Sequence, residues 1–224
     1  MRFFSKIVFL VTIVSLSGCA TFVTKEEAFP QMYQNKTVSI LVVPAVNNTT
    51  AAEAAEYYAT TISEPLTRNG YYVLPIELTT KLLQEQGVVD GAQLVGTDPA
   101  KFNEMFGADA VLFVTINQWD TSYYVIGGNV TVGISYLMKS TTSGETLWQY
   151  NDQIVIDTGG NSGGGLIGAI ISTAINTSLQ DYVPIAKQVN YTAISSMPVG
   201  TYHLKHQQDQ KMKAVNKDKV GVVQ

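Results

Sequence analysis

The sequence predicts an α/β domain: a mixed β-sheet with helices packed on it. Three observations predict it. In the first half, short apolar runs alternate with segments of helical period, as in sheets whose strands are joined by helices. After Gly127-Gly128 an alternating segment, a Ser143-Gly144 turn and a returning strand read as a meander. Finally, a wide apolar face at helical spacing follows a glycine-rich stretch. The expected order is β-α-β-α-α-β, then the meander, then a long C-terminal helix.

The chain opens on Arg2 and Lys6, followed by the uncharged ten-residue run Ile7 to Leu16. A transmembrane helix needs about 20 residues, so this run has the length of a signal-peptide core instead. Leu16-Ser17-Gly18-Cys19 follows directly and resembles the bacterial lipobox. Small residues at Ser17 and Gly18 admit a peptidase, and the Cys19 thiol accepts a lipid. Cys19 is the only cysteine in the chain, and a leftover cysteine in an exported protein calls for a role. Residues 1–18 are therefore expected as a lipoprotein signal peptide and 19–35 as a polar lipidated tether. Ala20, in place of an aspartate, favours the outer membrane over inner-membrane retention.

One α/β domain is expected over 36–204. Lys36 to Pro44 reads as a buried strand. Thr50 to Asn69 reads as a helix, with Thr50 and Glu53 spaced as a capping box, Ala51, Ala55, Tyr58, Ile62 and Leu66 on one face, and Pro65 kinking the last turn. Tyr71 to Leu74 is a short strand and Leu78 to Gln86 a short helix. Asp98-Pro99 starts another helix, closed by Gly107. Asp109 to Ile116 has almost no polar break and reads as a central strand. Asn129 to Lys139 alternates with period two, and Glu145 to Asp157 is its partner. Residues 158–165 form a glycine-rich loop. Leu166 to Ser195 reads as the long helix, kinked at Pro184. Residues 205–224 carry five Lys against two Asp and are expected to be a disordered tail.

Composition excludes whole classes. With 46% hydrophobic residues, 12 Tyr and 8 Phe, the chain can pack a core and is not globally disordered. Fourteen Lys+Arg against 18 Asp+Glu argue against a nucleic-acid binder. One Cys excludes a disulfide framework, and no cofactor is expected. Gly163, Gly165 and Gly168 fit the dinucleotide spacing, but no strand with an acidic residue follows, and no Lys stands where a phosphate loop needs one. His203 and His206 lack a third ligand, so no metal site is expected. No nucleophile–base set of Ser, His and Cys falls inside the domain, which points away from an enzyme and gives no catalytic residue.

Trp119, Tyr123, Tyr124 and Trp148 cluster around the meander and read either as a core face or as a patch for a glycan or a partner. Together with Ile167 and Ile171 at the start of the C-terminal helix they form the candidate partner surface. That helix is expected to pack on its own sheet, with its first turns exposed as a contact for a partner or for a homo-oligomer.

Several stretches together resemble a family of bacterial outer-membrane lipoproteins of unknown function, of the genome-derived neisserial antigen type. They are Leu16–Cys19, Asn47-Asn48-Thr49 with Tyr57-Tyr58, Gly70-Tyr71-Tyr72-Val73-Leu74-Pro75, Phe106-Gly107-Ala108-Asp109-Ala110-Val111-Leu112, Ile116 to Trp119, and Gly144 to Trp148. The stretch from Phe106 to Leu112 is also similar to curli-secretion-type lipoproteins. The resemblance implies a fold like the amino-terminal domain of TolB, a lipid on Cys19, and a protein partner such as a curli-secretion-like lipoprotein. It implies no catalytic residue. Two functions follow as expectations: a non-enzymatic interaction module in envelope secretion or surface assembly, or a cell-wall glycan-binding or peptidoglycan-synthesis accessory protein.

Overall fold

The computed structural model describes residues 22–124, 127–157, 182–216 and 219. Its elements in chain order begin with β1 (Phe22–Thr24), α1 (Lys25–Ala28), α2 (Pro30–Gln34), β2 (Ser39–Val42), β3 (Val46–Asn47) and α3 (Ala54–Arg68). Then come β4 (Tyr72–Val73), α4 (Ile76–Glu85), a 3-10 turn (Gly91–Leu94) and α5 (Ala100–Phe106). The second half holds β5 (Ala110–Tyr124), β6 (Gly127–Ser140), β7 (Thr146–Asp157), α6 (Val183–Ser195) and β8 (Lys213–Asn216).

Six strands form the main sheet in the order β4-β2-β5-β6-β7, with β3 also paired to β5. β2 runs parallel to β4 and to β5, whereas β5, β6 and β7 are antiparallel. The sheet is thus mixed, as the sequence pattern predicts. The order follows from the connections. Helices α3, α4 and α5 carry the crossovers between the short parallel strands, and tight connections build the meander.

Strand alternation divides the apolar residues between two faces. Ile40, Val42, Leu112, Val114 and Ile116 join Tyr136, Met138, Trp148 and Tyr150 in the larger core. Two helices cover that face. α3 contributes Tyr58, Ile62 and Leu66 at four-residue spacing, and α6 contributes Ile185, Val189 and Ala193 at the same spacing. Burying each large aliphatic side chain contributes about 1.5–3 kcal/mol. The opposite face holds Leu41, Val43 and Val111 against Leu83, Leu94 and Phe102 from α4, the 3-10 turn and α5. Asp109 pins the two central strands together. Its Oδ2 accepts hydrogen bonds from the Val38 and Ser39 amides at 3.0 and 2.8 Å and from Ser39 Oγ at 2.8 Å.

Three expectations need correction. The Thr50–Glu53 capping box does not form, because α3 starts at Ala54 with Glu53 as N-cap and no side-chain cap. Asn47 organises that entry instead: its Oδ1 accepts from Thr49 N and Oγ1, and its Nδ2 donates to Ala51 O.

The stretch expected as a tether is structured from Phe22 onward. It forms β1, α1 and α2, and Phe29 and Met32 enter the core. A capping box does exist there, between Thr24 and Glu27.

The stretch expected as a disordered tail turns back as β8, antiparallel to β1. Asp209 is fully buried, and Lys219 Nζ lies 2.7 Å from Asp152 Oδ2 on β7. The described part of the C-terminal helix begins at Val183, with Pro184 in its first turn, a position a helix tolerates.

Candidate functional site

Helix coverage of the sheet is uneven. All elements on the second face come from residues 76–106, so they reach β2 and β5 but not the outer meander. Tight connections put no helix between the meander strands. Among the described residues only the start of α2 borders it, where Pro30 and Gln31 line a second hollow with Leu137, Lys139 and Gln149 at the β7 edge. The result is a groove of about 510 Å³ between the 91–99 segment and the strands β5, β6 and β7. Its floor carries Phe113 and Thr115 from β5, Ser135, Leu137 and Lys139 from β6, and Gln149 and Asn151 from β7. Its wall is Val95 to Pro99, held by Asp98 Oδ1 accepting from the Ala100 amide at 3.0 Å.

Beyond the groove the same face continues as a band of amides. Gln118, Gly133 and Gln153 lie in one cross-strand row on β5, β6 and β7. Gly133 has no side chain to separate its neighbours, and Gln153 Nε2 donates to Gln118 Oε1 across it. A Cβ on Gly133 would stand 3.0 Å from Gln118 Cβ. Asn117 occupies the β-bulge in β5 and donates from Nδ2 to Ser135 Oγ at 3.0 Å. The bulge turns Trp119 inward, onto the face of Val132 and Ile134. The surface offers apolar floor (Phe113, Leu137) beside donors and acceptors in both directions. That suits an extended chain or a sugar more than a reacting group. Among the described residues, no three His, Cys, Asp or Glu side chains come together as a metal-binding group.

The sequence-predicted surface is placed otherwise. Trp148 is completely buried between Phe29, Tyr136 and Tyr150, stacked on Tyr150 at 6.1 Å, and its Nε1 donates to Ser196 Oγ at 3.2 Å. Trp119 is buried under α3 and the start of α6, with ring centroids 5.9 Å from Tyr57 and 6.3 Å from Tyr182. Both tryptophans are therefore core, not contact surface: α3 and the start of α6 cover Trp119, and Phe29 and the end of α6 lie against Trp148. Tyr123 and Tyr124 lie at the end of β5, in register with Gly128 and Gly127. Cys19, Ile167 and Ile171 lie outside the described residues, as do the signal segment and the glycine-rich loop. His203 and His206 serve a turn, where His203 Nδ1 accepts from the Lys205 amide at 3.1 Å. No helix among the described residues is long and apolar enough to cross a membrane.

Sequence reading missed the groove residues because Ser135, Leu137, Lys139, Gln149 and Asn151 look like the ordinary outward face of a half-buried strand. The available signal was the pairing of two alternating strands with no helical segment between them to cover that face.

Comparison with known proteins gives the family. Residues 28–202 match the family described as "Putative lipoprotein GNA1162-like", and the chain belongs to that family. A lipoprotein of Neisseria meningitidis serogroup B, NMB1124/NMB1162, is 28% identical over 184 residues, covering 82% of this chain and 85% of its own. The crystal structure of lipoprotein GNA1162 from Neisseria meningitidis is similar at a TM-score of 0.52 and 29% identity, over 62% of this chain and 96% of that one. A PelC dodecamer from Paraburkholderia phytofirmans is a fainter likeness, at a TM-score of 0.42 and 15% identity over 72% of this chain and 88% of that one.

Proposed function

Starting from membership of this lipoprotein family, we propose that the protein is acylated on Cys19, held on the periplasmic face of the outer membrane, and acts without catalysis as an interaction module in envelope secretion or surface assembly. The observation that carries the reading is the groove on the outer face of the meander, where Phe113 and Leu137 lie beside Ser135, Gln149 and Asn151. Such a surface can hold an extended segment of a partner through side-chain and main-chain hydrogen bonds around an apolar contact. The resemblance to curli-secretion-type lipoproteins suggests a partner of that kind. Acylation supplies the address: each buried CH₂ of an acyl chain adds about 0.8 kcal/mol of membrane affinity.

The band of Asn117, Gln118 and Gln153 favours a second reading, a cell-wall glycan or peptidoglycan-synthesis accessory role, because amides pair well with sugar hydroxyls. One experiment separates the two. A photo-crosslinking residue at Leu137 in the lipidated protein, irradiated in intact cells, gives a discrete protein adduct under the first reading. Adducts confined to isolated sacculi support the second. No adduct of either kind, with efficient crosslinking from a control site on the same protein, sinks both.

A further inference from the structure

β1 begins at Phe22, three residues after Cys19. Three residues of fully extended chain reach at most about 11 Å. This rests on acylation of Cys19 as proposed above. A lipid there leaves no slack, so the surface beside Phe22 must lie at the lipid headgroups.

That surface has the chemistry of a membrane contact. Phe22 is 57% exposed and Met212 50% exposed, although each belongs to the ordered β1–β8 ribbon or its approach. Lys213 lies with its ammonium 5.5 Å from the Phe22 ring centroid, and Thr24 pairs with Lys213 across the ribbon. Lys211 and Lys213 are exposed, and so is Lys205 in the preceding turn. Asp209, the acid among them, is buried against Lys25 and does not offset these charges at the surface. Glu26 and Glu27 on α1 are the opposing charges, and both are exposed. The Thr24 amide and Oγ1 donate to Glu27 Oε2 at 2.8 Å, which favours its ionised form, so the three exposed lysines face two carboxylates. The preceding turn also exposes Tyr202 and Leu204, the latter at 97%.

We infer that the β1–β8 end, through Phe22, Met212, Lys211 and Lys213, docks on an anionic phospholipid leaflet and sets the orientation of the whole domain. The apolar side chains enter the headgroup region, and the lysines hold anionic lipid around them. The groove then keeps a fixed direction relative to the membrane instead of swinging on its anchor.

The test uses the purified, lipidated full-length mature protein. Its one native cysteine is the acylated residue, so Met212→Cys introduces a single free thiol for an environment-sensitive dye. Val89→Cys, at a residue 77% exposed on another part of the molecule, is the control. On vesicles containing phosphatidylglycerol, the dye at 212 should shift to the blue and be quenched by brominated lipid, and the dye at 89 should do neither. Lys211→Glu with Lys213→Glu should abolish the shift while circular dichroism stays unchanged. A dye at 212 as water-exposed as the one at 89 overturns the inference, and so does a shift that needs added envelope protein. A shift equal on neutral vesicles and indifferent to the charge reversal overturns the part played by the lysines. Failure of the wild-type protein to float with vesicles sinks the acylation reading, and this inference with it.

Discussion

Lys25 and Asp209 form an ion pair inside the protein, Nζ to Oδ2 at 3.4 Å, with the side chains 6% and 0% exposed. Lys25 Nζ also donates to Met197 O at 2.6 Å. Asp209 accepts from Tyr33 Oη and from the Val199 amide, each at 3.0 Å. Burial lowers the Lys25 pKa from its ordinary value, while the Asp209 charge works to raise it. The pair joins the segment before the family-matched region to the segment after it, since that region spans 28–202.

Removing one partner should therefore be far worse than removing both. Lys25→Met leaves a buried carboxylate uncompensated and should cost about 3–5 kcal/mol in urea unfolding. Lys25→Met with Asp209→Leu should recover much of that loss. A cost for Lys25→Met below about 1 kcal/mol would mean that the pair behaves as an exposed one.

Two buried phenols make opposite predictions. Tyr136 Oη donates to Asn190 Oδ1 at 2.6 Å, and Asn190 Nδ2 donates to Thr61 Oγ1 at 2.8 Å, so the hydroxyl closes a network between β6, α6 and α3. Tyr136→Phe leaves the Asn190 oxygen unpaired and should cost about 1–3 kcal/mol. Tyr58 Oη is buried without a hydrogen-bond partner among the described residues. Tyr58→Phe should be neutral or stabilising, because it removes a desolvated group that gains nothing. Thermal midpoints of the two variants, measured side by side, check the contrast.

Acid should loosen the α3–α6 contact at its rim. Glu64 meets Lys187 Nζ at 2.6 Å, Arg68 Nε at 3.0 Å and Tyr191 Oη at 2.8 Å. Hydrogen bonds from Lys187, Tyr191 and Arg68 hold its carboxyl at about 2, below the ordinary 4.5. A depressed carboxylate stabilises the folded state above its unfolded pKa, and that stabilisation is lost as pH falls toward the folded value. The difference in urea midpoint between wild type and Glu64→Gln should thus be largest near neutral pH and shrink between about pH 4.5 and pH 2. A difference independent of pH would show that the carboxylate charge contributes nothing. The network is exposed, so added salt should shrink the difference as well.

Much of the sheet was legible because its signals are local. The unbroken run around Val111 to Val114 and the alternation from Val130 to Met138 each follow from side-chain period alone. Both strands form, although β5 runs on through its bulge to Tyr124, past the expected end at Ile116. What escaped depends on distant pairing. The charges Lys25, Glu26 and Glu27 made the N-terminal segment look like a solvated tether, yet Lys25 is neutralised by a residue 184 positions later. The Thr24–Glu27 capping box was readable, as was the apolar spacing of Phe29 and Met32. Neither outweighs high polarity until β8 is known to return. Trp119 and Trp148 were misplaced for a similar reason. An aromatic on an alternating strand points to one face or the other, and only the arrangement of α3 and α6 decides which face is covered.

The two family-like glycine stretches call for different physics at their glycines. Gly107 closes α5 in the left-handed region at φ 65°, and a Cβ there would meet nothing within 4 Å. Gly107→Ala then costs only the left-handed backbone penalty, about 1–2 kcal/mol. Gly70 also has a positive φ, 88°, but its missing Cβ faces the C-terminal segment, 2.5 Å from the His203 amide nitrogen and 2.6 Å from His203 Cβ. Two hydrogen bonds fix that approach: the Gly200 amide donates to Asn69 O at 2.8 Å, and the Tyr202 amide donates to Gly70 O at 3.0 Å. A methyl group at position 70 cannot be accommodated by a side-chain rotation, because the nearest atom is backbone. Gly70→Ala must therefore push the 198–203 segment away, weakening both bonds and the seat of Tyr71, whose Oη donates to Pro198 O at 2.8 Å. It should destabilise clearly more than Gly107→Ala, and the amide of Tyr202 should exchange with solvent faster in Gly70→Ala than in Gly107→Ala at matched global stability. Equal losses and equal exchange would mean that the close approach of residues 70 and 203 holds nothing, and that backbone conformation alone requires glycine at both positions.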